Sequence, residues 1–500
     1  MRAPASLAPP APAPATAPRG VGWAVVAALV LGCAVAGARG LYRPDEGRYT
    51  AVALRMLQTG DWLDPQLHHD TPHLTKPPLT YWVLAASLGT LGSTTFAARL
   101  PNALALAGTV LLLALAGRRL TPSRPWLPAS LYALSAFPRI AAGVVTTDTL
   151  LVLWTTMAGV AFACWRFDAQ RPARWLRWMW VALALGFMTK GPPALLPLLG
   201  ILFFTAWQDG GRALLRLFLP SGLLLFVLLA LPWFVAVAQA HPGLAERFLV
   251  HEVVDRVAST AHHRNPEASY LLLVYLPLLL TGAFPWLLDA WRGMGRALGS
   301  LRHPGRADGD ATERFLLCWL LLPSLVLFIS RSRLPLYLLQ VFPPLLLLAA
   351  QAAPPTRLCA PRSALIAWVL VLVGSAAMLG TRWIPSRDDT RVLAQQLAAV
   401  LPFSPSEVVF LRKPHQGLAL YLGCEVEEIS LEPRLSESGL PLDTLADELA
   451  DHEPRRVLLV EQSRDPAGFL ARAHALDASL ELAGVAGEYA VIIAARDRPH

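Results

Sequence analysis

VGWAVVAALVLGCAVAGARGLYRPDEGRY, residues 21–49, decides how the rest of the chain is read. Residues 21–38 carry no charge, and a run of that length is enough to cross a bilayer. No convincing small-residue cleavage site precedes Arg39, so the run reads as an uncleaved signal anchor. The Ala/Pro-rich stretch before it, residues 1–20, reads as a disordered cytoplasmic tail. Directly after the anchor, RPDEGRY packs two acids, two arginines and a tyrosine into seven residues. Charge at the mouth of a span is costly unless it is paired or used, which marks this loop as a candidate site.

Composition agrees with a membrane solvent. Of 500 residues 54% are hydrophobic and 16% charged, and the mean hydropathy is +0.45, too apolar for a soluble chain of this length. The formal charge of +8 comes from arginines clustered at the ends of apolar runs, which is a topological pattern rather than a nucleic-acid surface. Cys33, Cys164, Cys318, Cys359 and Cys424 have no metal-ligand spacing, and no disulfide framework is expected.

Beyond the anchor, residues 41–98 read as a first periplasmic loop in which 79–91, too short to span, forms an interfacial helix. Further spans are expected at 100–117, 125–147, 149–165, 176–189, 191–207, 217–240, 268–288, 315–330, 334–353 and 363–381. With the first that makes about eleven transmembrane helices. With the N-terminus inside, Arg118, Arg119, Arg124, Arg166, Arg171, Arg174 and Arg177 fall in cytoplasmic connections, as the positive-inside rule requires. The predicted architecture is an all-α polytopic membrane domain over residues 21–382, followed by a small soluble α/β domain, 383–500, on the periplasmic side. In that last part short β-branched runs at 408–411, 457–460 and 489–494 alternate with amphipathic stretches at 390–401 and 466–475.

This topology collects polar residues on one face. The first loop supplies Asp45, Glu46, Arg48, Tyr49 and Lys76. Span ends add Asp148 in TTDTLL, Lys190 in MTKGPP and Tyr337 in SRSRLPLY, and the loop 241–267 adds His251 and Arg256. Only three of the 43 basic residues are lysines, and Lys76 and Lys190 both sit at the membrane edge beside Pro or Gly. A compact point charge on a flexible stem suits a phosphate oxygen. The Asp45–Glu46 pair offers a general base with a hydrogen-bond partner, or simply acids in the first turn of a helix.

RPDEGRY, GDWLDPQL, LTKPPLTYW, FAARLPNAL, TTDTLL, MTKGPP, HEVVDR with HHRNPE, and RLPLY, in that order, resemble the lipid A aminoarabinose transferases and their relatives among the protein O-mannosyltransferases. The resemblance covers most of residues 40–345. It implies a GT-C fold and transfer of a sugar from a polyprenyl-phosphate donor, undecaprenyl phosphate or a similar carrier, to a lipid A-like or other cell-envelope acceptor at the bacterial inner membrane. Within it, Asp45 with Glu46 looks catalytic. Arg48, Lys76, Arg256 and Lys190 look like binders of the donor phosphate, and Tyr49, Asp148, His251 and Tyr337 look like cavity residues. One departure stands out: these transferases commonly place Glu before the Lys-Pro pair as a metal ligand, and Thr75 stands there in this chain. No metal or other cofactor is therefore assigned, with His69, Asp70 or His73 as substitute ligands if there is one. The alternatives are a protein O-mannosyltransferase-like enzyme and a non-catalytic lipid or sugar transporter.

Overall fold

The computed structural model describes residues 18–68, 71–241, 265, 267, 269–301, 308–357, 361–384, 386–435, 441–450, 455–462, 465–477 and 479–494. Most of the expected N-terminal tail, His69, Asp70, Cys359 and nearly all of the loop 241–267 lie outside them.

The chain runs α1 (Pro18–Ala36), α2 (Asp45–Thr59), a short β1–β2 ribbon (Gln66–His68 and Thr71–Pro72), α3 (Leu79–Leu91), α4 (Thr95–Leu120), α5 (Leu127–Leu134), α6 (Ala136–Ala142), α7 (Thr147–Arg166), α8 (Arg174–Lys190), α9 (Leu196–Asp209), α10 (Leu214–Leu217) and α11 (Pro220–Ala240). After the loop come α12 (Leu276–Gly282), α13 (Leu287–Ser300), α14 (Asp308–Ile329), α15 (Phe342–Ala352) and α16 (Pro361–Gly380). These helices bury one continuous apolar core that includes Val110, Val152, Phe162, Phe204, Phe315, Trp319 and Leu346. Large side chains on the outer helices, such as Leu224, Leu228, Leu325 and Ile366, are exposed, as expected where lipid is the solvent.

Among the described residues five helices are long and apolar enough to cross a membrane: Thr95–Leu120, Thr147–Arg166, Pro220–Ala240, Ala311–Ile329 and Pro335–Ala352. A sixth arises if Leu271–Gly282 and Leu287–Ser300, bent by 101°, form one broken span. Several of the about eleven expected spans take a different form among the described residues. The run 125–147 is two short helices separated at Ser135, whose backbone is extended (φ −69°, ψ 143°). Pro138 explains the break: it has no N–H for the Leu134 carbonyl, and its ring crowds that group. α8 and α9, with 17 and 14 residues, are at or below the lower limit for a full crossing. The 13-residue helix expected at 79–91 is α3.

Residues 384–494 fold differently. A five-stranded sheet has the order β4 (Glu425–Glu428), β3 (Glu407–Phe410), β7 (Arg456–Glu461), β9 (Tyr489–Ala494), β8 (Leu480–Ala486). β3 runs parallel to β4 and β7, while β9 is antiparallel to β7 and β8. A second ribbon pairs β5 (Arg434–Leu435) with β6 (Pro441–Leu442). Because side chains alternate along a strand, Val408, Phe410, Val457 and Ile493 face α17 (Thr390–Val400) and α18 (Leu418–Leu422) on one side of the sheet. Val409, Leu458, Val460 and Ile492 pack on α19 (Leu445–Ala450) and α20 (Pro466–His474) on the other. This small α/β unit sits directly on α2: Leu420 of α18 joins the buried cluster formed by Val52, Met56, Tyr81 and Leu84.

Candidate functional site

Helix α2 carries two adjacent carboxylates, and the 100° turn between neighbours sends them to opposite environments. Glu46 is 2% exposed. It accepts hydrogen bonds from Arg99 Nε at 3.0 Å and Nη2 at 3.1 Å, from the backbone N–H of Tyr42 and Val145, each at 2.9 Å, and from Arg39. Arg99, fully buried, also donates to the carbonyls of Ala36, Arg39 and Gly40. Burial alone would raise the Glu46 pKa, but Arg99 and then Arg39 outweigh it and hold the group below the usual carboxylate range. Glu46 thus ties the end of α1, the start of α4 and the approach to α7 to α2. Expected beside Asp45 as a catalytic group, Glu46 has its oxygens held by arginines and backbone donors, the setting of a structural anchor.

Asp45 is the other case. Its side chain is 43% exposed and pairs with Arg48 one turn on. Behind the pair lies Tyr49, whose ring is 5.8 Å from that of Tyr81. Burial first, then the Asp45 carboxylate, push the Tyr49 hydroxyl well above the ordinary phenol range, and Asp148 adds to the same effect. Asp148 of α7 is therefore within electrostatic reach of the first loop. Its carboxylate accepts from Thr146 Oγ1 at 3.0 Å and is bonded to Lys190 Nζ at 2.5 Å. Lys190 Nζ in turn lies 4.2 Å from the centre of the Tyr337 ring, a cation–π contact. Nearby, Tyr275 donates to the Leu334 carbonyl at 3.2 Å, and buried Arg333 donates to the carbonyls of Glu267 and Phe328 at 3.1 Å each.

Lys76, 7% exposed, bonds the Thr75 carbonyl at 2.7 Å. The Thr75 hydroxyl is 3.0 Å from His73 Nε2, and the His73 ring stands edge-on to Tyr81. The structure thus joins Asp45, Arg48, Tyr49, Lys76, Asp148, Lys190 and Tyr337 at one end of the bundle through Tyr49 and Tyr81. His251 and Arg256 lie outside the described residues. A hydroxyl and one imidazole, His73 with Thr75, do not make a donor set for a hard dication. Among the described residues the one compact acidic triad is elsewhere, Glu407, Glu427 and Glu448 in the C-terminal sheet, where Arg456 neutralises Glu407 at 2.7 Å and Glu448 at 2.8 Å.

Sequence reasoning missed the residues that hold the loop. Arg99 lies in the quoted FAARLPNAL, and an arginine at the head of an apolar helix was the available signal. Arg43 had none, because its partners are hundreds of residues away: Asp388 at 2.6 Å, Glu488 at 3.2 Å and the Tyr489 hydroxyl at 3.1 Å. The neighbouring backbone is held too. Tyr42 bridges to Asp389, the Leu41 N–H donates to Tyr421, and the Leu41 carbonyl accepts from Thr390. On α2 a Cβ at Gly47 would come within 2.4 Å of the Gly417 nitrogen, so only glycine lets the helix approach this closely. The GDWLD segment docks separately: Trp82 Nε1 donates to Trp62 O at 2.7 Å, Trp233 Nε1 donates to Leu63 O at 2.9 Å, and His241 lies 3.0 Å from Asp64.

Comparison with known proteins adds to this picture. Residues 75–236 match the dolichyl-phosphate-mannose-protein mannosyltransferase family. The chain is 32% identical over 391 residues to an undecaprenyl phosphate-alpha-4-amino-4-deoxy-L-arabinose arabinosyl transferase of Pseudomonas fluorescens, an alignment covering 77% of this chain and 65% of that one. It is 34% identical over 320 residues to the enzyme of the same name from Pseudomonas aeruginosa, covering 63% and 56%. The chain thus spans a little over half to about two thirds of the length of these relatives. In three dimensions it is similar to ArnT from Cupriavidus metallidurans bound to undecaprenyl phosphate, with a TM-score of 0.79 at 20% identity over 97% of this chain and 100% of that one. The likeness is weaker to the archaeal oligosaccharyltransferase AglB from Archaeoglobus fulgidus, with a TM-score of 0.51 at 12% identity over 81% and 64%.

Proposed function

We propose that this chain, a polytopic membrane protein with the GT-C fold and an ArnT-like sequence, is a glycosyltransferase that moves a sugar from a polyprenyl-phosphate donor to a lipid A-like or other cell-envelope acceptor. The observation that carries this reading is the split of the DE pair: one carboxylate is locked as an anchor, which leaves Asp45 half-exposed beside Arg48 with Lys190, Asp148 and Tyr337 at the same end of the bundle. In the reaction the acceptor oxygen forms a bond to the anomeric carbon as the bond from that carbon to the carrier phosphate breaks. Charge grows on the departing phosphate, and fixed cations are worth most where charge develops. Arg48, Lys76 and Lys190 supply them, with Arg256 as a fourth. Asp45 takes the proton of an attacking hydroxyl; if the acceptor is itself a phosphate, no proton need be removed and Asp45 orients it. Attack opposite the leaving group inverts the anomeric centre.

The arginine-rich connections favour an N-terminus in the cytoplasm, which puts this end of the bundle and residues 383–500 on the periplasmic side of a bacterial inner membrane. A second reading, protein O-glycosylation, is favoured by the match of residues 75–236 to the protein mannosyltransferases and differs in acceptor rather than in site. The deciding experiment offers radiolabelled polyprenyl-phosphate sugars to the chain in proteoliposomes, with envelope lipid and envelope protein as competing acceptors. Label should pass to lipid in the wild type and be lost in folded Asp45→Asn and Lys76→Ala variants. Label in protein would select the second reading, no transfer from any donor would overturn the enzyme and leave a transporter, and full transfer by both variants would overturn the roles given to Asp45 and Lys76.

A further inference from the structure

At the end of the bundle away from Asp45, helices α4, α7 and α8 leave a groove of about 180 Å³. Its walls are apolar, among them Leu115, Met157, Ala161, Trp175 and Trp178, and Trp178 is 50% exposed at the rim. That volume suits a stretch of acyl chain rather than a polar solute, and polar groups contribute almost nothing to the lining. The helical register carries the groove toward charge. Arg118 and Arg119 follow Leu115 by three and four residues on α4, the spacing of one helix face. Arg174 precedes Trp178 by four on α8. Residues 118–124 and 166–177 hold seven arginines and one acid, Asp168. Arg119 pairs with Asp168 at 2.5 Å, Arg166 with Asp209 at 2.7 Å, Arg124 with the carbonyls of Ala353 and Pro354 at 2.7 Å, and Arg177 with Ser221 at 3.1 Å. Among the described residues Arg118, Arg171 and Arg174 pair with no acid; Arg171 is half-buried against the Trp165 ring at 5.5 Å, whereas Arg118 and Arg174 are exposed, and the Arg174 guanidinium stands 5.6 Å from the Trp175 ring. An apolar slot that ends at two uncompensated cations is complementary to one kind of occupant.

We propose that this groove is a binding site for an anionic phospholipid, with one acyl chain between α4, α7 and α8 and the headgroup phosphate on Arg118 and Arg174. The site lies at the other end of the bundle from the candidate transfer site and is independent of it. The purified full chain, stripped of bound lipid in detergent, is titrated with phosphatidylglycerol or phosphatidylcholine of identical acyl composition and the bound lipid counted by native mass spectrometry. Two surface arginines give an expected preference of roughly ten- to thirtyfold for phosphatidylglycerol. The Arg118→Ala/Arg174→Ala double variant, altered only at exposed positions, should bind both lipids alike. Ala161→Trp, which fills the slot, should weaken both. Equal affinity of the wild type for the two lipids, or an undiminished preference in the double variant, overturns the proposal.

Discussion

Asp45 and Glu46 are neighbours in sequence and opposites in the fold, so their conservative amides should fail in different ways. Asp45→Asn is expected to lower turnover by about 10²–10⁴-fold, the range for loss of a general base, with the thermal midpoint unchanged. Glu46→Gln removes the anion from a cage of two arginines; breaking a buried pair of this kind costs about 3–5 kcal/mol, so the loss should appear in the melting curve of the purified protein before any assay is run. A second residue gives a pH signature. Burial first, then Glu448, Glu407 and Asp443, raise the Glu427 carboxyl from 4.5 to about 9. Between those values the folded chain holds a proton that the unfolded chain has released, so this residue makes stability fall as pH rises through the window. Glu427→Gln should therefore raise the melting midpoint at pH 8 and leave it nearly unchanged at pH 4; an equal gain at both would refute the assignment. The sequence made the charged residues of this site visible because lipid makes every ionisable group conspicuous. It did not reveal which of two adjacent acids turns inward, since that is set by Arg99 and Val145, 53 and 99 residues away from Glu46.

α2 is held between the bundle and the C-terminal sheet, and its seating depends on backbone contact at one point. Gly47→Ala would drive a methyl group into the Gly417 backbone, which has no side chain to move aside. An overpacked contact costs about 1–3 kcal/mol. Gly89→Ala on α3 meets only the flexible end of Leu57, at 3.1 Å, and serves as the control. Gly47→Ala is expected to cut turnover by at least about tenfold while Gly89→Ala leaves it within about twofold, as initial rates in proteoliposomes would test. Equal effects would mean that the seating of α2 is not what matters. At this scale most helices and strands were legible because their periods survive in the sequence: the runs expected at 408–411, 457–460 and 489–494 coincide with β3, β7 and β9 to within a residue or two. The division of 125–147 was less visible, since its residues are apolar on both sides of Ser135 and Pro138 was the sole local clue. Pro101, Pro232 and Pro323 sit inside unbroken helices, so proline alone does not announce a break.

Across the whole molecule, Arg43 ties the first loop to the C-terminal α/β unit, and this link should outlast the covalent one. With a protease site inserted at residue 385, the cleaved C-terminal fragment should stay with the bundle through washing at low salt and be released by Arg43→Ala; release from the wild type would show that the contacts do not suffice. The all-helical membrane domain was legible from composition, but the seating of the soluble unit on α2 was not, because no local pattern encodes a contact between residues 43 and 488. That span of 445 residues also has a meaning in time. At about 5–20 residues per second, a nascent chain spends on the order of tens of seconds to a minute and a half with Arg43 made and Glu488 not yet synthesised. The loop bearing Asp45 thus acquires its last braces only as translation nears β9, so a polypeptide released early would be inserted in the membrane with that loop unsecured.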